Sequence, residues 1–354
     1  MKKEAKQRNY NLDFLRGIAT LCIIVIHTAW SSGQGYLPLW FSNLTLLIDV
    51  PVFIFISGIS FHYVNSIVKN LKGLLGQWKK WLYFLFIYSL LLLIFFTEQF
   101  RIEDIFSQIV YVFPHQNNIE VVAGSIWYML MYIKVTIICS ILICAIQHYC
   151  KEDKLKVIGI VTMVMLMIFL YCATKNNLLF FDSYVSFYSF IYLLGYMLHH
   201  YQIKDKKQLF ILIAGDVIIM VIVFLCLGIG INEIQNIKFP PSVAYLPFSL
   251  ISILLFWYLK DHLQIKKENK INKIGKNAIF YYFSQGVSSS FIYYVYPYIP
   301  FQSIILKFVC MLTCNVILAT IGAFFLDRSY HYLEKKINFQ RICKLFLPIK
   351  KNSV

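Results

Sequence analysis

Residues 11–28, NLDFLRGIATLCIIVIHT, place an arginine and a histidine in one apolar segment with ten residues between them. A run of this kind reads as a helix. Eleven steps of about 100° return His27 to nearly the face of Arg16, roughly 16 Å further along the axis. Against a hydrocarbon layer about 30 Å thick, one group then sits near a membrane surface and the other near mid-bilayer. Ionisable side chains at such depth are costly unless a partner, a cavity or a task offsets the loss of water. The segment is therefore the first place to look for function.

The rest of the chain agrees with a membrane setting. Of its 354 residues, 59% are hydrophobic and 14% charged, more apolar surface than a water-soluble fold of this size can hide. Apolar runs long enough to span fall at 12–30, 41–63, 81–97, 125–147, 156–173, 184–200, 208–229, 243–260, 277–295 and 302–326. The expected fold class is an all-α polytopic membrane protein of about ten transmembrane helices, with a single domain over 1–354. Residues 101–113 (RIEDIFSQIVYVF) are too short and too charged to cross, and read as an interfacial helix. The N-terminus has the outline of a secretory signal peptide. However, Arg16 and His27 interrupt its core and Ala29-Trp30-Ser31 is a poor cleavage site, so it reads as a retained first helix.

Charge is distributed in alternation. Lysine and arginine crowd the N-terminus (Lys2, Lys3, Lys6, Arg8), 69–80, 151–156, 204–207, 260–276 and a basic tail at 328–354, whereas the alternate connections hold only Arg101, Lys175 and Lys238. Under the positive-inside rule both termini and every basic loop are cytoplasmic. The net charge of +16 is then chiefly a topological label, and it also suits a cytoplasmic polyanion such as coenzyme A. Nucleic acid is not an expected partner, since the charges are dispersed and no recognition motif occurs. Nine cysteines include no CxxC pair, and their odd number fits no disulfide framework. They read as small apolar packing residues, with no metal site, and Cys22 faces a different side of its helix from His27.

LDFLRGIA followed by His27, together with PVFIFISGISF at 51–61, resembles the bacterial acyltransferase-3 family of integral membrane O-acyltransferases. Those enzymes open with Arg or Lys, ten residues, then His in the first helix, and carry a Phe-rich SG motif in the second. SIWYML at 125–130 and KIGKNAIFYYFSQ at 273–285 are similar to later stretches of the family. The resemblance implies a multi-pass cell-membrane enzyme with acetyl-CoA as acyl donor. Its acceptor would be a hydroxyl of a glycan, either a lipid-linked sugar precursor or a surface polysaccharide. Two positions depart from the pattern. Lys79 and Lys80 stand where the family has an arginine-rich cluster, which keeps the charge and loses the fork. Gln285 stands where members often have His, and glutamine serves as neither acid nor base.

The residues themselves suggest roles. A sugar hydroxyl is a poor nucleophile, and imidazole is the side chain best matched to taking its proton near neutral pH, which makes His27 the candidate base. An acyl-histidine intermediate is a variant, and a hydrogen bond to a neighbouring helix is the structural alternative. Arg16 offers a permanent charge and a forked donor for phosphate oxygens or a thioester carbonyl, or else snorkels as a topogenic charge, with Asp13 one turn earlier to orient it. Arg16, Lys79 and Lys80 form the candidate donor-binding set. Asp49, inside the apolar run of the second helix, needs a partner or an aqueous cavity and is a candidate to bind acceptor hydroxyls. Ser57 with Gly58 suits close helix packing or a pocket, while Trp127 and Tyr128 fit equally a sugar-stacking face and an interfacial belt. Lys134 and Asp216 read as buried charges without an assigned partner. A glycan exporter or flippase would share the aromatic, many-helix interior but consume no thioester. A membrane sensor would need a signalling domain.

Overall fold

A computed structural model describes residues 9–31, 36–64, 66–110, 122–150, 152–175 and 181–336. In chain order its helices are α1 (Tyr10–Ser31), α2 (Leu39–Thr45), α3 (Val50–Val64), α4 (Ile67–Phe95), α5 (Ile102–Val110), α6 (Val122–Tyr149) and α7 (Lys154–Lys175). They continue with α8 (Ser183–Leu198), α9 (Lys206–Leu227), α10 (Ile234–Lys238), α11 (Tyr245–His262), α12 (Lys270–Lys276), α13 (Ala278–Val295) and α14 (Ile304–Lys336). Among the described residues no strand forms.

Every apolar run expected to span contains a helix. Among the described residues seven stretches are long and apolar enough to cross a bilayer: Tyr10–Trp30, Leu39–Val64, Ile67–Phe95, Trp127–Tyr149, Lys154–Thr174, Lys206–Leu227 and Ile304–Lys336. The other three are α8, α11 and α13, of 16, 18 and 18 residues. These are interior helices. Nearly the whole of α8 is buried, and α13 buries Ser284, Gln285, Ser288, Ser289 and Ser290 against its neighbours. A helix wrapped by protein has no need of a uniformly apolar surface. Outer helices show the opposite pattern: Phe95 of α4, Ile160 of α7, Phe210 and Leu225 of α9 and Phe324 of α14 are all exposed. In water such faces would be a fault, but against hydrocarbon they are what a helix carries.

Two expectations are corrected. The second span is not one helix, since α2 ends at Thr45 and α3 begins at Val50, with Asp49 in the turn between them. Pro51 is the cause: it has no N–H to give and its ring clashes inside a helix, but it is tolerated in a first turn. Residues 69–80 are not a loop but the first turns of α4, started by Ser66, whose hydroxyl accepts from the Lys69 amide (3.5 Å). α14 runs on to Lys336 and so takes in the start of the basic segment 328–354, of which 337–354 lie outside the described residues. The interfacial segment forms α5, with Asp104 and Gln108 inward and Ile102, Phe106 and Val110 outward, while 111–113 lie outside the described residues.

Contacts sort the helix ends into two faces. On the basic face the Asn11 amide donates to the Leu263 carbonyl (2.6 Å) and the Asn272 amide to the Tyr10 carbonyl (2.6 Å), tying α1 to α11 and α12. Gly17 and Gly275 permit this, since a Cβ on either would collide with backbone of the opposing helix. On the opposite face Asn43 binds the backbone at both Asn232 and Gln235 (3.0 and 2.9 Å), and Tyr36 stacks on Tyr296 at 5.0 Å.

Candidate functional site

The first turn of α1 is capped by Asn9, whose side chain accepts from the Leu12 amide (3.1 Å). From there Arg16, Thr20, Ile23 and His27 form one stripe along the helix, because spacings of four, three and four keep a helical face. The first three line a cavity of about 270 Å3. His27 is the next member of the stripe.

Charge marks the basic-face end of this cavity, where Arg16 is joined by Lys80 of α4 and Lys276 of α12. The Arg16 guanidinium donates to the Ser60 hydroxyl (2.5 Å) and lies 3.4 Å from Asp13 Oδ1. Its fork has five N–H donors, so these contacts orient it and leave donors for a ligand. One wall is aromatic: Tyr128 packs against Tyr132 and Tyr282, each at 5.5 Å between ring centroids. Toward the far end the lining turns apolar with Ile23, Val50 and Phe53. Gln285 of α13 also lines the cavity, fully buried, and neither polar atom of its amide has a hydrogen-bond partner among the described residues. A buried polar group left in that state costs about 1–3 kcal/mol, so the amide is poised for a polar ligand.

Beyond the cavity lies a second, charged cluster. Asp49, buried in the turn before α3, is ion-paired with Lys238, the last residue of α10. The Tyr245 hydroxyl donates to the same carboxylate oxygen, Oδ2, at 3.4 Å. Lys238 Nζ also lies over the Phe239 ring, 4.6 Å from its centroid. His27 is itself half-buried. Next to His27, Thr28 is held by the Asn315 amide (2.8 Å), which also donates to Ser289 (3.0 Å) while its oxygen accepts from Ser288 (2.5 Å). This network joins α1, α13 and α14 at the level of the histidine.

The structure thus brings Arg16, Lys80, Ser57 and Tyr128 to one cavity, sets His27 next along the α1 stripe that lines it, and pairs Asp49 with Lys238 outside that lining. Lys79 is exposed and does not line the cavity, and Cys22 is absent from its lining too. Ser57 donates to the Phe53 carbonyl (2.8 Å), and Gly58 is the packing member of the pair: a Cβ there would meet the Tyr192 carbonyl of α8. Trp127 and Tyr128 do not act together. Consecutive helical residues point about 100° apart, so Trp127 packs edge-on to Phe239 (5.2 Å) in the second cluster while Tyr128 faces the cavity. Lys134 proves exposed, so it is no buried charge; Asp216 is buried, with Oδ2 unpartnered among the described residues.

Sequence reasoning did not single out Lys238, Tyr245 or Asn315. Lys238 carried a faint signal as a lone basic residue in an otherwise sparsely charged connection.

The family model described as an acyltransferase domain, acyltransferase 3, matches residues 9–328 of this chain. No curated protein and no solved structure matches it.

Proposed function

The chain belongs to the acyltransferase-3 family, and from that premise we propose that it moves an acetyl group from acetyl-CoA to a hydroxyl of a cell-surface polysaccharide or its lipid-linked precursor. That it is a multi-pass membrane acyltransferase follows from the family and the seven spans. The donor, the acceptor and the residues in the steps below are our reading.

The observation that carries it is the α1 stripe: a cavity with Arg16, Lys80 and Lys276 at its entrance runs along the helix toward His27. At about 270 Å3 the cavity falls below the range of roughly 300–1,000 Å3 that houses whole drug-sized ligands. The acylated pantetheine arm enters, and the nucleotide phosphates stay at the basic face against Arg16 and the lysines, where charge-assisted bonds are strongest. Tyr128, Tyr132 and Tyr282 flank the arm, and the open amide of Gln285 accepts or donates to its polar atoms. His27 takes the proton of the acceptor hydroxyl as that oxygen attacks the thioester carbonyl. The carbon–sulfur bond then breaks, and the imidazolium returns its proton to the departing thiolate, which leaves as free coenzyme A. The acceptor approaches His27 from the opposite face, past Trp127.

The test is direct. Purified protein in lipid nanodiscs, given acetyl-CoA labelled in the acetyl group and glycan from cells lacking the chain, should produce labelled glycan ester detectable by mass spectrometry. Thioester use without transfer to any glycan would move the acceptor elsewhere. Loss of surface glycan export on deletion, with no acyl change in the glycan, would favour the exporter.

A further inference from the structure

Two contacts fix how α3 lies along α1. The Asn9 amide donates to the Tyr63 hydroxyl (3.1 Å) and the Arg16 guanidinium to the Ser60 hydroxyl (2.5 Å), so the helices run antiparallel with Arg16 level with Ser60. Seven residues inward on each helix, roughly 10 Å, stand Ile23 of α1 and Phe53 of α3, with Val50 nearly one turn beyond Phe53. These three line the deep end of the cavity, past the hydroxyls of Thr20 and Ser57 and the charged mouth of Arg16, Lys80 and Lys276. Polarity therefore falls with depth, from charge to hydroxyl to hydrocarbon. An acyl-CoA has the same order along its length: phosphates, a polar arm and an apolar acyl tip.

The deep end is also stiff. Ile23 and Val50 are β-branched residues on helices, where one χ1 rotamer dominates, and both are buried. Phe53 meets Tyr128, which also lines the cavity, at 6.4 Å between ring centroids, and Tyr128 is braced in turn by Tyr132 and Tyr282. Behind Val50 the turn into α3 is anchored by the buried ion pair of Asp49 with Lys238. A wall held in this way does not retreat easily before a longer ligand, because packed interiors yield little.

We infer that Ile23, Val50 and Phe53 form an acyl subsite and set the length of the acyl group that is transferred: a short group fits in front of this wall, and a longer one strikes it. The inference rests on the reading of an acyl-CoA as donor and supplies a physical reason for acetyl over a longer chain. With the phosphates held at the basic mouth, the length of the arm fixes the depth of the thioester, so each added methylene must be taken up at the tip. One methylene too many in an apolar pocket is discriminated by roughly 10- to 200-fold. Phe53 has the largest side chain of the three and is half-buried where it borders the cavity, so its removal opens the most room.

Purified parent and Phe53→Ala in lipid nanodiscs are given acetyl-, propionyl-, butanoyl- or hexanoyl-CoA with glycan from cells lacking the chain. Free coenzyme A and glycan ester are both followed. In the parent, kcat/KM should fall by about 10-fold or more from acetyl to propionyl, and further for butanoyl. In Phe53→Ala the butanoyl-to-acetyl ratio of kcat/KM should rise by at least about 10-fold, with the longer ester found on the glycan by mass spectrometry. A gain on the longer donor is something a merely destabilised protein does not give. If Phe53→Ala does not fold, Ile23→Ala opens the same end from α1 and is read by the same ratio. A parent that uses the donors alike, or a folded Phe53→Ala protein with an unmoved ratio, overturns the inference and leaves the donor reading standing. A parent that releases no coenzyme A from any of these donors sinks the donor reading, and the acyl subsite with it.

Discussion

Arg16 and Lys238 are both basic side chains that reach into an apolar interior, one from each face, and they are held in different ways. The Arg16 side chain keeps 30% of its surface exposed, touches Asp13 at 3.4 Å and Ser60 at 2.5 Å, and borders a cavity. Lys238 is buried to 6%, matched by one carboxylate and covered by an aromatic ring. A charge that is oriented but only partly satisfied beside a void is prepared for a ligand of opposite charge. A charge fully matched at depth contributes its field and its geometry instead. The two halves of the interior are therefore built differently: one leaves a partly satisfied charge beside a cavity, and the other holds a matched, buried pair.

The comparison breaks first at His27, which stands where the halves meet. His27→Gln keeps hydrogen-bonding capacity but cannot carry the proton. It should lower kcat by about 10² to 10⁴ while donor KM stays near the parent value, because the residue lies beyond the cavity. Steady-state kinetics on labelled acetyl-CoA read both. A parent-like kcat would return His27 to a structural role and remove the meeting point of the two halves.

Arg16→Ala attacks the binding half alone. A hydrogen bond to a charged group contributes about 1.5–3 kcal/mol, so donor KM should rise roughly 10- to 100-fold with kcat less affected. Because Arg16 is partly exposed, added salt should weaken donor use in the parent and much less in the variant. Equal salt dependence in the two would mean that Arg16 orients the helix and does not meet the donor.

Gln285→Leu separates stability from function within the same cavity. Removing an unsatisfied buried amide should leave thermal stability in detergent unchanged or slightly higher, whereas kcat/KM should fall roughly 2- to 10-fold as a neutral hydrogen bond to the ligand is lost. A fall in both would show that the amide is engaged in packing.

How much of this was legible in the sequence depends on how local each feature is. The Arg16 and His27 stripe is pure helical periodicity, so spacing alone placed both residues correctly. The break before α3 was also written locally, in Pro51, but the apolar run around it hid the break, and Asp49 was accordingly set inside a helix. The pairing of Asp49 with Lys238 joins distant parts of the chain through α10, and no local pattern encodes it. Trp127 and Tyr128 were read as one aromatic unit because they are adjacent in sequence, whereas helix geometry sends adjacent side chains to different neighbours. Lys134 misled for the reverse reason: an apolar context in sequence says nothing about which side of the helix meets protein.

The smallest expected effect turns on the same geometric lesson. Lys79 and Lys80 are equivalent in sequence, both basic and both ahead of an apolar run, and were assigned together to the donor. On α4 they diverge: Lys80 lines the cavity with its Nζ 4.9 Å from the Phe280 ring centroid, and Lys79 is exposed and outside the lining. A lysine that meets phosphate beside a partly sheltered wall contributes more than one in open water, where an exposed ion pair gives about 0.2–1 kcal/mol. Lys80→Gln should therefore raise donor KM several-fold, and Lys79→Gln by less than about twofold, the smaller effect vanishing first as salt is added. Equal shifts would mean that the nucleotide lies across the outside of α4 and not at the cavity mouth, and the division between a cavity-lined half and a half built on a buried pair would need its boundary redrawn around the helix surface.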